Sequence, residues 1–247
     1  MIPGSILDNT FLIKWNKSQG SAFKLEHIGR QYLVTARHIV EGINSGDHIK
    51  IRQAQGWENM NVDVVGIGAN DVDVAVLSCP NLPSHSSPPE ISTHMIGIGH
   101  QVYFVGYPFG WHWEAIPSLV EPPPSPYVKS GILSGAYDDH NTLAIDGHGN
   151  VGFSGGPVIF NPQGQGSHFF VLGVVSFYPT PVLEPVVDKN GDIALDHNKS
   201  PVGYVQENPG FLAATGIKCV TDLINTNPIG TPNPHSPLAP QSHPASR

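Results

Sequence analysis

Short apolar runs broken by glycine, asparagine, aspartate and serine recur along most of the chain. "TFLIKW" (10–15), "SAFKLEHI" (21–28), "QYLVTA" (31–36), "HIKIR" (48–52), "VDVVGIG" (62–68) and "VDVAVL" (72–77) are rich in β-branched and aromatic residues. Such side chains suit a pleated, half-buried surface, so each run predicts a strand. The polar, proline-rich stretch "SCPNLPSHSSPPEIS" (78–92) then predicts a linker between two halves. Strands resume with "HQVYFVGYPFG", "YVKSGILSG", "NTLAI", "GGPVIF" and "HFFVLGVVSFY", and "NPQGQG" (161–166) is expected as the hairpin turn before the last of them. "LEPVVDKNGDIALDHNKSP" (183–201) reads as an exposed loop with one short strand. In "ATGIKCVTDLI" (214–224) the spacing of Ile217, Val220, Leu223 and Ile224 predicts a closing helix. The residues from 226 to 247 hold almost nothing to bury, and a disordered proline-rich tail is expected there.

Composition narrows the class. Charged residues make up 13% of the 247, while Gly (27) and Pro (24) are abundant, which favours short strands joined by many turns. A hydrophobic fraction of 39% suffices for a sizeable core. The net charge of −8 and the absence of a basic run argue against nucleic acid or an anionic membrane as the main partner. Cys79 and Cys219 are too few for a disulfide framework. The amino end lacks a charged segment followed by an apolar one, and no stretch approaches the roughly 18 apolar residues of a spanning helix. A cytoplasmic protein is expected.

The candidate chemistry lies in "VGFSGGPVIF" (151–160), where Ser154 stands among Gly152, Gly155 and Gly156. A hairpin turn needs one or two glycines; three imply a backbone that bends sharply or is closely approached. A serine nucleophile needs a base, and His38, at the end of the apolar strand in "YLVTARH", has a fixed anchorage with one ring edge exposed. The base in turn needs a carboxylate to orient it. Asp73, immediately before an apolar run, is preferred to Asp71, which would share its face two residues earlier.

"TARH", "DVAVL" and "GFSGGPV" stand in the His, Asp, Ser order of trypsin/chymotrypsin-like serine peptidases, and the chain most resembles the high-temperature-requirement (HtrA) branch. "GSAF", "GYPFG" with "VKSGILSG", "IDGHGNVGFSGGPV", "VLGVVS" and "GFLAATGIKCVTDLI" extend the likeness from about residue 10 to 225. The resemblance implies an all-β fold of two perpendicular six-stranded antiparallel β-barrels, the first over 1–90 with His38 and Asp73, the second over 91–225 with Ser154 and a short closing helix. It implies a serine endopeptidase that needs no cofactor and no metal. His38 would be general base and acid, Asp73 its orienter, Ser154 the nucleophile, and the amides of Gly152 and Ser154 the oxyanion hole. Ser176, Phe177 and Tyr178 would line the extended polypeptide substrate. A catalytically silent peptide-binding protein with the same cleft is the alternative. Where digestive members carry an aspartate before the serine this chain has Phe153, so activation by an ion pair at that position is not expected. The HtrA branch commonly adds a peptide-binding domain, for which the residues after the helix are too few.

Other clusters carry less. "WHW" (111–113) and "DDH" (138–140) lack the two-histidine helical spacing of a zinc hydrolase, and the glycines of "IGIGHQVYFVGYPFG" form no phosphate-loop fingerprint. "EPPPSP" reads as an exposed loop of the second barrel.

Overall fold

The protein is described from a computed structural model covering residues 1–69, 71–83, 86–93, 96–112, 124–137, 141–162, 168–177, 182–207 and 210–233. A one-turn helix, α1 (Gly4–Asp8), precedes seven strands: β1 (Thr10–Trp15), β2 (Ser18–His27), β3 (Arg30–Thr35), β4 (His48–Gln53), β5 (Gly56–Asn61), β6 (Asp63–Ile67) and β7 (Ala75–Ser78). They form one antiparallel sheet in the order β5-β4-β1-β2-β3-β7-β6. In β4 the pattern is plain: Ile49 and Ile51 are buried while His48 and Lys50 face out, the period of two that a one-sided core requires.

The second half contains β8 (Glu90–Ile91), β9 (Gln101–Gly106), β10 (Tyr127–Tyr137), β11 (Thr142–Asp146), β12 (Pro157–Phe160), β13 (Phe170–Phe177), β14 (Val182–Pro185), β15 (Tyr204–Glu207) and β16 (Phe211–Gly216). Strands β9-β10-β11-β16-β13-β12 pair in that order, and β12 pairs back onto β9, closing a six-stranded antiparallel barrel. The hairpin β14–β15 is a sheet of its own. Part of the expected linker, β8, docks in parallel on β13 through Glu90 opposite Phe170. A helix, α2 (Ile217–Thr226), and a short strand, β17 (Thr231–Pro232), complete the described elements.

The expectation of two closed barrels is therefore corrected: the second half is a closed barrel, and the first is an open half-barrel whose path ends at β5 and β6. Val62, alone between these two strands, shows why. Its N–H donates to the Asp47 carbonyl (2.9 Å), and its own carbonyl accepts from Gly46 N–H (2.9 Å). A single connecting residue is too short to turn β5 back onto β6, so β5 pairs with β4 and β6 with β7 but not with each other.

Three apolar clusters organise the interior. Ile13, Leu33, Ile49, Ile51 and Leu77 line the first sheet, and Phe104, Ile145, Phe153, Phe160 and Leu212 fill the barrel. The third joins the halves: Phe23, Val34 and Val76 from the first sheet meet Val105, Ile159 and Val174 from the barrel and Ile217, Val220 and Ile224 from α2. At about 2 kcal/mol for each fully buried aliphatic or aromatic side chain, parting the halves would cost more than the roughly 5–15 kcal/mol of a domain's net stability. The halves therefore fold as one body. The helix expected over 214–224 begins at Ile217, because Ala213, Ala214 and Thr215 are committed to pairing with β11 and β13.

Residues 227–233, within the expected tail, run back along the first sheet. Thr231 pairs with Gln31, Arg30 Nη1 donates to the Gly230 carbonyl (2.7 Å), Asn227 Nδ2 to the Val65 carbonyl (3.0 Å) and Asn233 Nδ2 to Glu26 Oε2 (2.6 Å). At about 1 kcal/mol for each net hydrogen bond, a chain ending at 226 is expected to lose about 3 kcal/mol against one ending at 233; urea denaturation of the two measures it. A second expectation concerns the β2–β3 turn, where His27 pairs with Arg30 around Ile28 (φ 46°) and Gly29 (φ 73°). Glycine suits that conformation and an exposed β-branched residue does not. Ile28→Asn is expected to raise stability by about 1 kcal/mol, read as a higher denaturation midpoint at unchanged slope.

Candidate active site

Strand register brings His38 and Asp73 together. Thr35 at the end of β3 pairs with Ala75 at the start of β7, so the residues just after β3 and just before β7 emerge at one end of the sheet. A single 3₁₀ turn, Arg37–Ile39, follows β3 and carries His38. Its Nδ1 lies 2.7 Å from Asp73 Oδ2, and its backbone N–H donates to Asp73 Oδ1 (3.0 Å). Both carboxylate oxygens are engaged, which fixes the rotation of the acid as well as that of the ring. With Nδ1 donating to a carboxylate, Nε2 is the basic nitrogen. The Asp73 side chain is 15% exposed and the imidazole 45%, so the acid is sheltered while the ring reaches solvent. Asp71 is exposed, and among the described residues neither a hydrogen bond nor an ion pair joins it to the imidazole; the structure brings Asp73 to His38.

Ser154 enters from the barrel side, in the turn before β12, and is 9% exposed. Its neighbours account for the glycines. At Gly155 (φ 84°) a Cβ would overlap the Ser21 carbonyl oxygen and Thr35 Oγ1 and lie 2.9 Å from Ala36 N. Only glycine lets this turn close on β2 and on the backbone two residues before His38. At Gly156 a Cβ would overlap the Val105 carbonyl oxygen, and at Gly152 (φ 103°) the Tyr107 carbonyl oxygen. The Ser154 carbonyl accepts from Ser21 N–H (2.8 Å), and Gly155 N–H donates to the Val175 carbonyl (2.7 Å). The Ser154 turn thus packs, across the seam between the halves, on the backbone that leads to His38. Among the described residues no hydrogen bond joins Ser154 Oγ to the imidazole.

The amides flanking Phe153 are oriented by their trans peptides. The Val151 carbonyl accepts from Phe109 N–H (2.7 Å) and the Phe153 carbonyl from Gly156 N–H (2.9 Å). In a planar trans unit the N–H points opposite to the carbonyl, so Gly152 N–H and Ser154 N–H both point away from those partners. Phe153 itself is buried, edge-on to Phe104 with ring centroids 5.2 Å apart.

The remaining expected site residues are placed as follows. Ser176 is buried on β13, the backbone of Phe177 continues that strand opposite Ala213, and Tyr178 lies outside the described residues. The histidine of "WHW", His112, has a buried Nδ1 with no hydrogen-bond partner among the described residues; "DDH" lies outside the described residues, as does the first half of "EPPPSP". Two contributors escaped the sequence reading. Ser21, within the noticed "GSAF", bonds to the Gly152 carbonyl through its hydroxyl (2.7 Å). Lys129 Nζ donates to the His148 carbonyl (2.7 Å) and to Asn150 Oδ1 (2.6 Å) in the loop leading to Gly152, and burial pushes its pKa down.

Comparison with known proteins places the chain in a family. A family profile described as a trypsin-like peptidase domain matches residues 20–173, the stretch holding His38, Asp73 and Ser154. Similar solved structures include an inactive form of Rv3671c from M. tuberculosis H37Rv, 16% identical over 91% of this chain and 89% of that one, with a TM-score of 0.55. A serine endoprotease from Yersinia pestis is 17% identical over 90% of this chain and 64% of that one (TM-score 0.56). The HtrA-type protease AlgW, solved with a tripeptide, is 19% identical over 90% and 61% (TM-score 0.55). No curated protein matches by sequence. At these identities the structures speak for the fold. The cytoplasmic expectation is corrected: the amino-terminal sequence on which it rested does not decide the compartment. No helix among the described residues is long and apolar enough to cross a membrane.

The closure at Gly155 is directly testable. Gly155→Ala combines a positive φ with steric overlap against two strands, and is expected to cost about 3 kcal/mol or more. Gly191→Ala, also at positive φ but in open space, should cost about 1 kcal/mol. Thermal denaturation of both variants compares them.

Proposed function

From the premise that the chain belongs to the trypsin-like peptidase family, we propose that it is a serine endopeptidase. The observation that carries this reading is the two-point hold of Asp73 on His38 at the place where the Ser154 turn closes on β2 and β3. In the proposed reaction Ser154 Oγ attacks the scissile carbonyl of an extended polypeptide while His38 Nε2 takes its proton. Asp73 holds the ring in the required tautomer and stabilises the imidazolium. The Gly152 and Ser154 N–H groups receive the oxyanion; neither is used by a backbone acceptor among the described residues, which supports this role. The imidazolium then protonates the leaving amine, and water, deprotonated by the same nitrogen, releases the acyl group from Ser154. The substrate backbone lies along the end of β13, at Ser176 and Phe177.

The proposal is tested with a fluorophosphonate probe and a peptide library. Folded protein is expected to be labelled at Ser154 and to cleave peptides, and Ser154→Ala to do neither. Asp73→Asn should lower turnover by about 10⁴-fold, with Asp71→Asn near wild type. Absence of labelling on a folded protein that still binds peptide would overturn the proposal in favour of a silent binding protein.

A further inference from the structure

The three peptides that shape the candidate oxyanion loop have their carbonyls caught by three different donors. The Val151 carbonyl is held by Phe109 N–H and the Phe153 carbonyl by Gly156 N–H, both backbone bonds within the barrel half. The middle carbonyl, that of Gly152, is held by a side chain from the other half: Ser21 Oγ, on β2, donates to it at 2.7 Å. The same hydroxyl accepts from Tyr107 N–H at 3.0 Å, so its one proton has a single place to go and its direction is set. Ser21 is fully buried, and its backbone N–H holds the Ser154 carbonyl.

We propose that Ser21 is a positioning residue for catalysis, a catch by which the first sheet sets the oxyanion loop. Rotation of the Gly152–Phe153 peptide changes ψ of Gly152 and φ of Phe153 together, and these are two of the four angles that set how the N–H groups of residues 152 and 154 are directed relative to each other. Glycine at 152 places little intrinsic barrier on that rotation. The Phe153 N–H bond to the Asn150 carbonyl (3.2 Å) restrains this peptide from within the loop, and the shorter Ser21 hydrogen bond restrains it from the first sheet. Loss of the hydroxyl leaves a buried carbonyl and the Tyr107 N–H unpaired, and the carbonyl gains by turning toward solvent in the cleft. The oxyanion hole then depends on the docking of the two halves. The role rests on the peptidase reading above, but the conformational claim can be read without activity.

The test is Ser21→Ala, with Ser21→Thr as the variant that keeps the hydroxyl and Thr10→Val as a control that removes a different buried hydroxyl, one bonded to the Ile6 carbonyl at 2.8 Å and not to the loop. Ser21→Ala is expected to lower kcat by about 10- to 100-fold, less than loss of an oxyanion donor itself, with KM unchanged. Affinity for a peptide boronic acid, which forms a tetrahedral adduct, should fall in parallel. Ser21→Thr should restore part of kcat, and Thr10→Val should lose stability without loss of kcat. Crystal structures of Ser21→Ala and wild type give the second readout: ψ of Gly152 and φ of Phe153 are expected to change in the variant alone, turning the Gly152 carbonyl away from residue 21. Should wild type fail to react with the fluorophosphonate while Ser21→Ala still shows the turned peptide, the peptidase reading fails and the catch stands as a conformational device. An unchanged Gly152 conformation, or a kcat equal to wild type in an active enzyme, overturns the inference.

Discussion

The structure depends on the contact at Gly155, where the barrel half is pressed against β2 and β3 with no room for a side chain. Two hydrogen bonds lie beside it: Ser21 N–H to the Ser154 carbonyl and Thr35 Oγ1 to the Ser21 carbonyl. The second satisfies the oxygen that Gly155 approaches most closely, so the tight packing leaves no orphaned carbonyl. Thr35 also ends β3 and, through its pairing with Ala75, sets where His38 and Asp73 emerge. One small patch of backbone therefore fixes both the seam and the position of the imidazole relative to Ser154.

Such a seam holds its geometry only if the halves cannot rock. The shared cluster beneath α2 supplies that rigidity, with side chains from both sheets interlocked around Ile159, Val174 and Val220. Tyr107 adds a polar tie: its hydroxyl, buried and directed at the Thr10 and Pro124 carbonyls at 2.9 and 2.8 Å, links the end of β9 to the start of β1. Burial raises its pKa, so the phenol remains a proton donor at any ordinary pH.

Much of this was legible before the fold was seen. The alternation in β4, the apolar run after Asp73 and the three glycines around Ser154 are local signals, and local physics acts on them directly. Asp73 could be preferred to Asp71 from its neighbours alone. What was not legible depends on distant partners. The openness of the first sheet turns on the one-residue link at Val62, across which β5 and β6 take different partners, and periodicity does not encode that. The seven residues after α2 look unable to bury anything, yet Gly230 packs against the Tyr32 ring. Lys24, inside an evident strand, is fully buried, and burial lowers its pKa; nothing in the run around it marks that burial. Ser21 resembles any polar strand residue, because the carbonyl it holds lies 131 residues away.

Phe153 shows how one departure from a familiar pattern is absorbed by its surroundings. An acid at this position would need a buried cation, since an unpaired buried carboxylate is costly. Phenylalanine needs a cavity of the right shape, and Phe104 supplies the edge-on neighbour. The nearby cation, Lys129, serves a different purpose: its ammonium lies 5.9 Å from the centroid of the Phe153 ring while bonding to the His148 carbonyl and Asn150 Oδ1. The loop before Gly152 is thus held by neutral acceptors around a lysine and by an aromatic plug in the core. Its anchorage requires no carboxylate at residue 153, and so no ammonium to meet one. The order of this loop follows instead from these contacts within the barrel half and from the Ser21 hydrogen bond to the Gly152 carbonyl across the seam.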